Sequence, residues 1–400
     1  MGNTITYLYK NKKVSDTAVK HAFNLLSIYT GIKFIEDNVA PQIVYNGNIA
    51  IPDFDPIEAI IDKISLRGSL GLAQNNKLID DQTGLYLSGI VGKFVDTLVE
   101  KEFIVKPAKP INLWPENYRF ACAVTHDVDI IRRSVLGSFK LCFKSDPPGG
   151  IRGFIDSLKN AMGNVDNPYD KFEQWIEIEK NLDIKSTFFV FDGKREHRFD
   201  PKYKTNDIFN SLNSIQKAGN EIALHSGIKR SDGSNLPSLK DANENVINNK
   251  ISGIRPHYLS AALPDYWQKA SEAGFSYSSC LGYDESIGYF SKIDLPFIPF
   301  DLEADKPIKI VEIPITLMDG GLFGGRYDNP VTAANDLIEK VSNNGGLLVL
   351  DWHQRVLYER DYPGWGDAFK QIIEAVKNKS GVFIRMDEIA KLFNPITQGN

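Results

Sequence analysis

The sequence predicts an α/β fold: a distorted (β/α) barrel of about seven parallel strands, preceded by a small N-terminal α+β unit. Three observations carry this. Beyond residue 117, short apolar runs alternate with stretches of helical periodicity, which implies parallel strands joined by right-handed crossovers. Seven or eight such units fit into about 275 residues, a number that suits a closed or distorted barrel better than an open sheet. Asp, His and Arg residues gather at the ends of the apolar runs, where a barrel of this kind builds its active site.

Residues 1–105 read as a small mixed domain of unassigned role. A helix is expected near Asp16–Tyr29, short strands around Ile32–Ile35 and Gln42–Tyr45, and a second helix after Pro56. A third, near Gly84–Lys101, places Leu85, Leu87, Ile90, Val91, Phe94, Val95 and Leu98 close to helical spacing. This region has no cluster of His, Cys or paired carboxylates, so no chemistry is assigned to it. Residues 106–117 read as a linker, because Lys106-Pro107-Ala108-Lys109-Pro110 breaks any helix.

The barrel domain is expected over 118–400, with strands at 119–126, 185–191, 220–225, 252–258, 275–280, 309–316, 346–352 and 381–385. Helices lie between several of them. In Asp170–Leu182, for example, Phe172, Trp175, Ile176 and Glu179 share one face.

Apolar content of 42% and charged content of 24% are ordinary for a soluble globular protein. A net charge of −5 and a pI near 5.8 argue against nucleic-acid binding, which calls for a basic face. Cys122, Cys142 and Cys280 form no CxxC pair, so neither a zinc ribbon nor a disulfide framework is expected. No apolar run approaches ~18 residues, so no transmembrane helix is expected. The first residues lack the apolar core of a signal peptide. Gly2 and Thr6 match a loose myristoylation pattern that is too short to carry weight. The expectation is a reduced, cytoplasmic protein.

The candidate chemistry begins at Asp127-Val128-Asp129, which closes the run Phe120–Val124. Side chains two apart on a strand share a face, so both carboxylates would leave the strand end together. One could hold a metal while the other handles a proton. A lone strand-end Asp is ordinarily a turn former or cap; two on one face beside other polar ends are not. His126 has the opposite parity and should face the helices. His225 ends Asn220–His225, sharing a face with Glu221 and Ala223. Alone it would read as structural; within the set it reads as a metal ligand. Arg255 could orient a carboxylate with its planar fork, and the bland reading is a surface arginine. His257 could add an imidazole or could contact substrate. In Leu347–His353, Asp351 and His353 share parity, with Trp352 opposite. A His leaving so apolar a strand suits proton transfer. His21 and His197 join no set and read as surface residues.

These segments, in this order, resemble the polysaccharide deacetylase family, carbohydrate esterase family four. Thr125-His126-Asp127-Val128-Asp129 stands at the family's Thr-Phe-Asp-Asp-Gly motif. Ser186–Val190 matches its Ala-Thr-Phe-Phe-Val strand, and Gly219–Ser226 its Gly-His-Glu-Ile-Gly-Asn-His-Thr motif. Ile254-Arg255-Pro256-His257-Tyr258 stands at Phe-Arg-Pro-Pro-Tyr, and Asp351-Trp352-His353 at Leu-x-His, with Leu350 one place early. Val382–Arg385 followed by Asp387-Glu388-Ile389 is similar to the family's last strand and helix. The match spans 118–393; each motif alone is weak, and five in order are strong.

Two departures matter. Lys229 stands where the family places its second metal-binding His, and an ammonium cannot ligate. His257 stands where the family has Pro, so the third ligand is expected to have moved to that strand. The Asp-x-Asp spacing also differs from the family's adjacent pair, which marks a divergent branch.

The resemblance implies a metal-dependent hydrolase that removes an N-acetyl group, or in a variant an O-acetyl group, from a saccharide. Asp129, His225 and His257 would hold a divalent cation, with zinc the ion that this donor set suits. Asp127, oriented by Arg255, would be the base and His353 the acid. The backbone N–H of Tyr258 would support the oxyanion. Trp352 and Tyr283 could stack on a sugar face or could be core aromatics, and Asp319 is a weaker candidate for substrate contact. The partner is a saccharide, carrier-linked if the protein works in the cytoplasm. Hydrolysis of a non-sugar amide and non-catalytic glycan binding are the alternatives, and Lys229 is the feature that favours the second.

Overall fold

The computed structural model describes residues 4–10, 13–45, 55–67, 85–133, 155, 158–159 and 167–394. Cys142, Gly84 and the Gly2 of the acylation pattern lie outside the described residues.

The N-terminal unit is a three-stranded parallel sheet in the order β2-β1-β3: β1 (Thr4–Tyr9), β2 (Lys33–Glu36) and β3 (Ile43–Tyr45). Among the described residues its helices are α1 (Asp16–Thr30), α2 (Pro56–Ile64) and α3 (Leu87–Glu100). β1, whose polar–apolar alternation is only six residues long, is not among the expected strands. Ser15 caps α1 through the Ala18 N–H, and Gly31 closes it in the left-handed conformation. Ile60, Ile61, Ile90, Val91 and Phe94 are fully buried, so α2 and α3 show the others an apolar face.

This unit is seated on the segment 288–305 by groups that are individually satisfied. The Lys63 ammonium donates to the Ser291 carbonyl (2.6 Å), and the Tyr29 hydroxyl to that of Pro296 (2.9 Å). The Ser88 N–H donates to Asp294 at 2.9 Å. His21, expected at the surface, is instead 3% exposed and donates through Nε2 to the Ile298 carbonyl at 2.9 Å. Its place on the apolar side of α1, between Ala18 and Leu25, was the missed signal.

Among the described residues the rest of the chain forms one nine-stranded sheet in which every neighbour pair is parallel. Its strands are β4 (Phe120–Val128), β5 (Ser186–Phe191), β6 (Glu221–Ser226), β7 (Gly253–Pro256) and β8 (Tyr277–Ser278), then β11 (Val311–Glu312), β12 (Leu317–Met318), β13 (Leu347–Asp351) and β14 (Gly381–Phe383). A short antiparallel pair, β9 (Phe300–Asp301) and β10 (Lys306–Pro307), lies apart from it.

The sheet closes through residues 311–318. At its start this stretch bonds to the β8 side: the Ile313 N–H donates to Ser278 and that of Ile315 to Leu281. At its end the Thr316 N–H donates to Val349, and β12 pairs with β13. Counted once, 311–318 joins β4, β5, β6, β7, β8 and β13 in a ring of seven positions, a distorted (β/α) barrel. β14 fills the wedge beside the first half of β4, while β5 takes the second half.

The expected strands are present but shorter where polar work intervenes. Of the expected 309–316 strand only Val311–Glu312 forms, β12 follows outside it at Leu317–Met318, and 252–258 ends at Pro256. Inside the barrel, the Tyr277 ring lies across Gly253, where a Cβ would stand 1.8 Å from it. That tyrosine donates to Glu221 (3.0 Å), which also accepts from Thr187 (2.7 Å). The barrel floor is therefore polar and satisfied, and the mouth is left for chemistry. Among the described residues no helix is long and apolar enough to cross a membrane.

Candidate active site

β4 is buried along its whole length and runs to Val128, so it carries Asp127 to the rim and releases Asp129 just beyond. Both carboxylates face the barrel axis, as period-two geometry requires. His126, of opposite parity, is held outside between the Trp352 carbonyl (2.6 Å) and the Glu179 carboxylate (2.8 Å).

Three side chains from three strand ends converge. Asp129 Oδ1 lies 3.4 Å from His225 Nε2 and 3.5 Å from His257 Nε2. One donor atom from each of the three fits within 4.8 Å of the others. Donors about 2.0–2.1 Å from a tetrahedral ion stand about 3.4 Å from one another, so the spacing matches a zinc-sized cation. His225 Nδ1 donates to the Arg255 carbonyl at 3.0 Å, which leaves the Nε2 lone pair facing Asp129. Both Asp129 Oδ1 and His225 Nε2 are buried without a hydrogen-bond partner. Two buried acceptors aimed at one point call for a cation between them. Lys229, by contrast, is exposed in the turn after β6 and is not part of this cluster.

A second set lies deeper. The fully buried Arg255 guanidinium donates from one nitrogen to Asp127 (2.7 Å), Asp351 (2.9 Å) and Thr125 (3.0 Å), and from the other to Ser279 (3.1 Å). Its plane lies over the Phe189 ring at 3.9 Å. Burial alone would raise the pKa of Asp127, but Arg255, His225 and His353 together outweigh it and hold the carboxyl below its usual value. Asp351, whose Oδ2 is buried and unpartnered, is pushed up to about 7, first by burial and then by the nearby Asp127 charge. Sequence parity placed Asp351 with His353 but gave it no role.

His353 Nε2 lies 3.0 Å from Asp129 Oδ2. Burial works against its protonation, yet Asp319 and Asp129 overcome this and hold it well above the ordinary histidine range. Asp319 was expected to contact substrate. It is instead 1% exposed and accepts both the His353 N–H and Nδ1–H, each at 2.8 Å, so it orients the imidazole.

Two further expectations are corrected. Trp352 is fully buried, with its ring 5.6 Å from Phe369 and 6.2 Å from Phe323. Tyr283 is 4% exposed and packs on Phe290 at 5.8 Å. Neither offers a face to a sugar, because the parity that sends His353 into the mouth sends Trp352 under the helices. The exposed aromatics that line the mouth are Phe199 and Tyr258, each 53% exposed, beside the buried Tyr203. Tyr258 adopts φ 58°, ψ 22°, a left-handed conformation uncommon outside glycine, immediately after His257. Both aromatics lie in polar loops, where sequence offers no periodicity to flag them.

The fold and side chains thus define the class: an α/β barrel with a candidate metal centre at the C-terminal rim. No protein-family model and no curated protein sequence matches the chain. Solved structures similar to it include the allantoinase PuuE, at 17% identity over 73% of this chain and 95% of that one, TM-score 0.49. A Mycobacterium smegmatis protein assigned to the polysaccharide deacetylases shares 20% identity over 70% and 91% of the two chains, TM-score 0.47. The peptidoglycan deacetylase PdaC from Bacillus subtilis shares 14% over 70% and 93%, TM-score 0.36. Likeness at this level says nothing of activity, which has to be read from the side chains themselves.

Proposed function

We propose that the chain is a metal-dependent hydrolase of the polysaccharide deacetylase type, removing an acetyl group from the nitrogen of a saccharide. The observation that carries this is the pair of buried, unpartnered acceptors, Asp129 Oδ1 and His225 Nε2, with His257 completing the donor set.

Asp129, His225 and His257 would hold the cation, and zinc suits one carboxylate and two imidazoles. When bound there, it would polarise the acetyl carbonyl and acidify a water molecule. Asp127 accepts the proton of the attacking water, since Arg255 and the neighbouring histidines keep it ionised. Arg255 fixes the carboxylate so that one oxygen stays committed to the guanidinium and the other, 3.7 Å from His225 Nε2, faces the reacting centre. The backbone N–H of Tyr258 supports the developing oxyanion. His353, kept protonated by Asp319 and Asp129, donates its proton to the departing amine. The products are a free amino sugar and acetate.

Lys229 was the ground for reading the chain as a non-catalytic binder. The exposure of Lys229 and the place of His257 in the candidate donor set favour the catalytic reading over that one. The test is metal content and acetate release measured together. Asp127→Asn should keep its metal and lose turnover on an N-acetylated oligosaccharide. Full activity in that variant, or a wild-type protein that takes up no metal, overturns the proposal.

A further inference from the structure

The mouth of the site opens into a cleft of about 520 Å³ that runs from Asp129, His257 and Tyr258 to the loop 198–207. Four cations line it: Arg132, Arg198, Lys202 and Arg355. This runs against the chain's net charge of −5. Three acidic residues also line the cleft, but each is engaged. Asp129 faces the two histidines. Asp200 is buried and accepts the N–H groups of Glu196, His197 and Ile228. Asp207 accepts the Lys204 N–H at 2.8 Å.

The cations are less committed. Arg355 is tied to the Tyr362 hydroxyl and lies 3.5 Å from Asp129. Among the described residues, Arg132, Arg198 and Lys202 have no carboxylate partner within 4 Å. All three are exposed, and Arg198 is laid over the ring of Phe199 at 4.5 Å, which holds its guanidinium beside that aromatic face. Phe199 and Tyr258 stand 6.3 Å apart on the same wall. An apolar ring face edged by unpaired cations suits a sugar that carries an anion.

We propose that the substrate is an acidic saccharide: one whose acetamido ring lies beside a carboxylate- or phosphate-bearing unit that is gripped by Arg132, Arg198 and Lys202 over Phe199 and Tyr258. The saccharide part rests on the deacetylase reading above; the anion part rests on the cleft alone. Arg198 and Lys202 select among substrates and take no part in the bond-breaking step.

The experiment separates the two. Binding is measured by calorimetry on metal-loaded Asp127→Asn protein with three probes: a neutral N-acetylglucosamine tetramer, a tetrasaccharide alternating N-acetylglucosamine with glucuronic acid, and the tetramer carrying one phosphate monoester. At low salt at least one acidic probe should bind about tenfold more tightly than the neutral one. That preference should fall away near 1 M salt, where the screening length is about 3 Å. It should also fall away in Arg198→Ala/Lys202→Ala and persist in Arg198→Lys. Which acidic probe gains identifies carboxylate or phosphate. Equal binding of all three probes, or a preference that survives the double substitution, overturns the anion site. Acetate release by the wild-type protein is scored separately. If no probe yields acetate while the acidic preference holds, the activity reading fails and the anion site stands. If acetate is released and no preference exists, the reverse is true.

Discussion

The Asp319 carboxylate clamps His353 twice, accepting its backbone N–H with one oxygen and its Nδ1–H with the other, both at 2.8 Å. The imidazole therefore cannot turn without breaking a buried charge-assisted bond, and Nε2 is left facing Asp129. Asp319 and His353 stand 34 residues apart on neighbouring strand ends.

Asp319→Asn tests this clamp. The variant can still accept one hydrogen bond but lacks the charge that raises the His353 pKa. Since a raised pKa keeps the acid protonated to higher pH, the alkaline limb of the rate profile should move to lower pH. His353→Ala should lower turnover about 100- to 10,000-fold, the usual worth of a positioned general acid. Metal content should be unchanged in both, and a limb that stays in place in Asp319→Asn would remove Asp319 from the proton path.

The donor set yields a paired prediction. His257→Ala and His225→Ala should each lose metal by elemental analysis, whereas Lys229→His should neither gain nor lose it, because that side chain is exposed and outside the cluster. Metal retained at wild-type stoichiometry in His257→Ala would mean that the third ligand lies elsewhere.

Arg255 joins two carboxylates that would otherwise repel. Arg255→Ala should cost about 3–5 kcal/mol in denaturant unfolding, since it leaves Asp127 and Asp351 buried and unpaired. Part of that loss should be recovered at acid pH, where Asp351, raised to about 7 even with Arg255 present, takes up a proton. A variant as stable as the wild type would show that water reaches the Asp127–Asp351 pair.

The seam with the N-terminal unit has its own pH signature. Burial pushes Asp294 up to about 6 from an ordinary value near 3.8. The folded state therefore holds its proton more tightly than the unfolded chain does. This contribution to stability is complete below about pH 3.8 and is lost as pH rises through about 6. The whole window is worth on the order of 3 kcal/mol. Asp294→Asn does not titrate, so its stability relative to wild type should rise between pH 4 and 7 in urea titrations. A difference that stays flat with pH would place the proton elsewhere.

Much of this was legible in the chain. Period-two alternation told that Asp127 and Asp129 leave β4 together, that His126 turns outward and that Trp352 opposes His353. The alternation of apolar runs with helical stretches gave the barrel. What the alternation left open was the length of each strand: of 309–316 only Val311–Glu312 is strand, and Leu317–Met318 just beyond it forms the next, because one stretch must serve both edges of the closing sheet. Phe199 and Asp200 belong to a loop with no period, so nothing local marked them.

The sequence by itself determined which residues could meet, because backbone geometry decides parity along each strand before any packing occurs. Only the tertiary structure decided which ones do. Barrel closure brought His257 to Asp129 and His225, turned Lys229 outward, and buried Asp319 against His353. Those distances depend on how seven strand positions shear around a common axis, a property of the whole ring that no single segment encodes.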